Sequence, residues 1–80
     1  MDKTNTFTRK DKQTGETTIL KFDEAVDQFI KDNYDYAQAE DAGPVEDWLN
    51  DMSTVFETRS TLSDGGEIDA GYFIYTSNNN

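Results

Sequence analysis

Apolar positions along this chain repeat at two different periods, and the change of period divides it into elements. Residues 4–10 (Thr-Asn-Thr-Phe-Thr-Arg-Lys) and 16–22 (Glu-Thr-Thr-Ile-Leu-Lys-Phe) are rich in β-favouring Thr, Ile and Phe. The polar stretch Asp11-Lys12-Gln13-Thr14-Gly15 between them is a hairpin connection ending in Gly. Phe7, Leu20 and Phe22 are assigned to the core, and Thr6, Thr8, Arg9 and Lys21 to solvent. The period then lengthens. Val26, Phe29, Ile30, Asn33, Tyr34 and Ala37 recur at helical spacing, which predicts an amphipathic helix over residues 24–38 with Asp23 as its N-cap.

A break at Ala39-Glu40-Asp41-Ala42-Gly43 precedes Pro44, which suits the first position of a second helix because its missing N–H has no partner there anyway. Val45, Trp48, Leu49, Met52 and Val55 continue the helical spacing and predict a helix over 44–54. Phe56–Leu62 returns to a strand pattern, Ser63-Asp64-Gly65-Gly66 supplies a turn, and residues 68–76 form the last strand.

The expected order is therefore β-β-α-α-β-β: an α+β fold in which two hairpins make one four-stranded antiparallel sheet with both helices on one face. The plan resembles a β-grasp with an extra helix, which implies strand order 2-1-4-3. Eighty residues make a single domain, with residues 1–3 and 77–80 frayed.

Composition narrows the chemistry. The chain has no Cys and no His, which removes disulfides, thiolates, the usual zinc ligands and the usual general base. No apolar run is long enough to span a membrane, and no signal peptide is visible, so a bacterial host cytoplasm is the expected location. Gly-rich phosphate loops and basic clusters interleaved with aromatics are missing. Calcium-loop spacing fails as well: a loop begun at Asp32 places Tyr34 at its third position, and one begun at Asp35 places Ala37 there. No nucleophile is paired with a base. The expectation is a protein that is not an enzyme and carries no cofactor or metal.

Charge changes the picture most. Seven basic and seventeen acidic residues give a net charge of −10, beyond the magnitude of about 2–8 that solubility asks of a small domain. Residues 1–22 are net +2, residues 23–57 net −10 and residues 58–80 net −2. The surplus thus falls on the helical third. Glu24, Asp27, Asp32, Asp35, Glu40, Asp41, Glu46, Asp47 and Asp51 are the candidate contact residues, with only Lys31 among them. Carboxylates at i, i+3 and i+4 stand about 5–6 Å apart, comparable to the charge spacing along a nucleic-acid backbone. A protein that grips phosphates through Lys and Arg can grip such a row instead. Like charges at this spacing cost a helix a few tenths of a kcal/mol per pair, and general acidity for solubility would not leave the first 22 residues net basic.

A short, strongly acidic single domain without Cys or His resembles the small DNA-mimic inhibitors of bacteriophages. These include inhibitors of uracil-DNA glycosylase and of the nucleoid protein HU, anti-restriction proteins and acidic anti-CRISPR proteins. The likeness lies in size and composition, not in a motif, so it assigns no residue. It implies a phage-encoded protein whose partner is a basic DNA-binding protein of the host, such as HU, a CRISPR effector, or a restriction or repair enzyme. Direct contact with nucleic acid or membrane is not expected. Tyr72, Phe73 and Tyr75 in the apolar last strand suggest a self-association patch, and a homodimer through it would double the acidic surface. The alternative function is an acidic adaptor that docks through this aromatic strand and uses its charge for solubility.

Overall fold

A computed structural model describes residues 6–37 and 43–78. The chain runs β1 (Thr6–Asp11), β2 (Thr17–Lys21), α1 (Phe22–Ala37), α2 (Val45–Leu49), α3 (Met52–Ser63), β3 (Glu67–Ala70) and β4 (Phe73–Ser77). The four strands form one sheet in the order β2-β1-β4-β3, antiparallel throughout, so the first and last strands are central. The α+β class and the expected strand order both hold.

The first hairpin closes on Asp11. Its carboxylate accepts from the backbone N–H groups of Gln13 and Thr14, and its own N–H and C=O bond Glu16 and Gly15. Gly15 adopts φ +81°, a conformation that favours Gly. β2 then runs directly into α1. The helix begins at Phe22, one residue before the predicted cap, so Asp23 lies inside the first turn. The capping contact comes from Glu24, whose carboxylate accepts from the Lys21 N–H at 3.0 Å; this is half of a capping box.

Two elements differ from expectation. The predicted 44–54 helix is broken at Asn50–Asp51, and the segment predicted as strand, Phe56–Leu62, is helical. Asp51 takes an extended backbone and accepts from the Ser53 N–H at 3.0 Å, which caps a new helix. Thr58 and Leu62, four residues apart, are then buried together, and the Thr58 hydroxyl satisfies itself on the Thr54 carbonyl. Burial at helical spacing overrides the strand propensity of the Thr and Phe residues. The second hairpin, Glu67–Ser77, accordingly takes up the whole of the predicted last strand and one residue on either side. Ala70 pairs with Phe73 across the two-residue turn Gly71-Tyr72, with Gly71 at φ +79°.

The register sorts the sheet into two faces. Phe7, Arg9, Leu20, Ile68, Ala70, Phe73 and Tyr75 share the face under the helices; Thr6, Thr8, Lys10, Ile19, Glu67, Asp69, Ile74 and Thr76 share the other. The core is Phe7, Tyr75 and Ala70 of the sheet against Ala25, Val26, Phe29 and Ile30 of α1 and Leu62 of α3. Phe29 meets Tyr75 edge-on at 5.2 Å. Arg9, assigned above to solvent, points under the helices with Phe7, and Met52, at helical spacing with Val45, Trp48 and Leu49, is 79% exposed.

Candidate functional site

The helical layer carries the acidic residues. Along α1, Glu24, Asp27, Lys31 and Asp35 are all exposed, following the opposite phase from the buried Ala25, Val26, Phe29 and Ile30. α2 is held beside α1 by Trp48, which meets the Tyr34 ring edge-on at 5.2 Å. The Tyr34 hydroxyl also donates to the Gly43 carbonyl just before α2. This places exposed Glu46 and Asp47 on the same helical layer, with Asp51 at the α2–α3 junction. Glu57, not among the predicted contact residues, adds a further exposed carboxylate on α3. Glu40 and Asp41 lie outside the described residues.

Ion pairing is selective. Three pairs occur among the described residues: Arg9 with Asp32, Lys12 with Asp69, and Arg59 with Asp23. Lys12 and the Gly71 N–H hold the Asp69 carboxyl below the usual range. Glu24, Asp27, Asp35, Glu46, Asp47, Asp51 and Glu57 are in no ion pair among the described residues. Some of this acidity has a local structural use. Glu24 and Asp51 cap helices, and Glu46 and Asp47 sit in a first turn, where the helix dipole favours negative charge. Asp35 has no such use. It lies in the last turn of α1, which carries no basic residue, so it opposes the dipole.

Asp32 is not part of this surface. It is 2% exposed, and both its oxygens are spent inside the fold. Oδ2 accepts from Arg9 Nε at 2.8 Å and from the Tyr75 hydroxyl at 2.6 Å; Oδ1 accepts from Arg9 Nη2 at 2.8 Å and from Gln28 Nε2 at 2.9 Å. Four donors satisfy a carboxylate completely. The Arg9 guanidinium also lies 3.5 Å from the centre of the Phe73 ring. The carboxylate raises the Arg9 pKa further, and burial, followed by the hydrogen bond to Asp32, raises that of the Tyr75 phenol. This network explains why a charge sits in the core, and its signal was phase. Arg9 lies two residues from Phe7 on a strand, and Asp32 lies three from Phe29 and seven from Ala25 on a helix.

The fold divides the three residues expected to form a self-association patch. Tyr75 is fully buried and Phe73 is half-buried beneath Arg9, because β4 is a central strand with helices over that face. Tyr72 is 49% exposed and lies edge-on against Tyr36 at 5.1 Å. Among the described residues there is no pocket, no group of acidic side chains placed to hold a metal, and no helix long and apolar enough to cross a membrane. The chain matches no protein-family model, no curated protein and no solved structure.

Proposed function

We propose that the protein is a non-enzymatic inhibitor, encoded by a phage, that imitates the charge of nucleic acid. It occupies the nucleic-acid-binding surface of a basic DNA-binding protein in the bacterial cytoplasm: HU, a CRISPR effector, or a restriction or repair enzyme. The contact surface is the helical layer, through Glu24, Asp27, Asp35, Glu46, Asp47 and Asp51. The reading is supported chiefly by the distribution of pairing. Of the acids that meet Arg9, Lys12 and Arg59, Asp32 is buried, Asp69 lies on the sheet, and Asp23 alone belongs to the exposed helical layer, while Glu24, Asp27 and Asp35 of α1 and Glu46 and Asp47 of α2 are in no ion pair among the described residues. Asp35 adds to this, since its position costs the helix stability.

The full burial of Tyr75 and the partial burial of Phe73 weigh against the adaptor alternative, which needs those rings at the surface.

Displacement of a labelled DNA duplex from purified HU, measured across a salt series, tests the proposal, with the other named targets assayed alongside. Inhibition falls steeply as salt rises, because the contacts are ionic. The Asp27→Lys, Asp35→Lys, Asp47→Lys triple variant folds and loses inhibition. A folded triple variant that still displaces DNA refutes the acidic surface.

A further inference from the structure

Helix α3 distributes its side chains against the usual preference. It buries Thr58 at 7% exposure, yet leaves Met52 and Phe56 in solvent at 79% and 74%. A helix shaped only by the core would do the reverse, because burying a Phe or Met side chain is worth about 1.5–3 kcal/mol. The two residues are four apart and therefore stand together on one side of the helix. Val55, half-buried and three residues from Met52, extends the same ridge toward the core. Single exposed apolar residues are ordinary; two large ones side by side form a patch.

Charge decides what can cover that patch. Asp51 precedes Met52 and Glu57 follows Phe56, both exposed and in no ion pair among the described residues. Arg59, one turn further on, is taken up by Asp23 and the Phe22 ring. Arg59 stands on the ridge's own side, three residues from Phe56, so the nearby charges in no ion pair among the described residues are the acidic ones. A second copy of a chain of net charge −10 would bring the same acids against each other across a two-fold interface. Nucleic acid and anionic lipid are repelled for the same reason. The complementary occupant is a protein with an apolar pocket set in a basic surface, matching the apolar centre and polar rim of ordinary interfaces.

We infer that Met52 and Phe56 are the apolar anchor by which this protein holds its basic target, inserting beside the phosphate-binding residues that the acidic layer engages. The inference rests on the DNA-mimic reading and adds to it a contact that DNA cannot make. Phosphates cannot fill an apolar pocket, and apolar contact persists at salt concentrations that screen ionic ones. The anchor would thus let a small acidic domain compete with a long polyanion, and would select among DNA-binding proteins that share similar basic surfaces.

The test is displacement of a fluorescein-labelled duplex from purified HU, uracil-DNA glycosylase, a guide-loaded CRISPR effector and a restriction enzyme, at low and at physiological salt. Wild type is compared with Met52→Gln/Phe56→Gln and with Met52→Ala/Phe56→Ala, a pair that favours helix. Circular dichroism follows the fold, and sedimentation velocity follows the oligomeric state. On at least one target, both variants stay folded and inhibit at least about tenfold more weakly at both salts, with the salt dependence of wild type retained. Wild-type inhibition that both variants match overturns the anchor and leaves the mimic reading standing. If wild type displaces DNA from none of the targets, the mimic reading fails and the anchor with it. A wild-type dimer that the variants dissociate makes a second copy the occupant and overturns the inference.

Discussion

The guanidinium of Arg9 and the carboxylate of Asp32, 23 residues apart in the chain, meet through two hydrogen bonds of 2.8 Å each. One is on the sheet and the other on α1, so the pair fixes how the helical layer sits over β1 and β4. Planar bidentate geometry specifies orientation as well as distance. Arg9→Ala leaves Asp32, at 2% exposure, without its cationic partner, and about 3 kcal/mol of stability is lost. Asp32→Ala costs a comparable amount: the Arg9 side chain, 19% exposed, can turn to water, but the hydroxyl of buried Tyr75 loses its acceptor. Urea unfolding of both singles and the double gives the coupling, expected above about 1 kcal/mol.

Asp35→Lys separates function from stability. A base in the last turn of α1 complements the helix dipole, so the variant gains about 0.3–1 kcal/mol. It also loses binding to the basic target. Thermal melting and duplex displacement on the same sample check both halves, and a loss of stability removes the argument that Asp35 is retained against the interests of the fold.

Asp51 has two roles that substitution can part. Asp51→Asn keeps an oxygen for the Ser53 N–H and removes the charge, so stability holds while inhibition weakens. Asp51→Ala removes the cap as well and costs about 1 kcal/mol. Denaturation midpoints compared with inhibition constants distinguish the two.

Gly71 and Gly15 both have positive φ, but their surroundings differ. A Cβ on Gly71 would stand 2.5 Å from the Tyr36 ring, whereas one on Gly15 meets nothing within 4 Å. Gly15→Ala therefore carries only backbone strain, about 1–2 kcal/mol. Gly71→Ala costs clearly more, and Tyr36→Ala in the same chain recovers only part of the excess, because the Cβ it keeps stands 2.6 Å from the added methyl group. Melting temperatures of the three variants provide the comparison.

Alkaline pH probes the buried phenol. Burial and the bond to Asp32 raise the Tyr75 pKa in the folded state. The folded protein therefore keeps a proton that the unfolded chain releases above about pH 10. Stability is full below that value and falls as pH rises beyond it. Tyrosinate absorbance should show one phenol ionising only as the fold is lost, and Tyr75→Phe removes that component.

Periodicity and composition alone dictate much of this molecule. The Val26, Phe29, Ile30 stripe makes α1, the Thr-rich segments around Asp11–Gly15 make the first hairpin, and the amino-acid counts give the acidic surplus and its bias to the helices. Packing settles the rest, because local preference there is weak or misleading. Thr and Phe between residues 56 and 62 favour a strand, but the Asp51 cap and the burial of Leu62 make a helix. Gly71 reads as one small residue in an apolar run until the chain must reverse upon it. Only the contact with Arg9, Gln28 and Tyr75 turns Asp32 from a surface charge into a core one. A sequence fixes how much charge a chain carries, whereas the direction each carboxylate faces depends on partners remote in sequence and near in space.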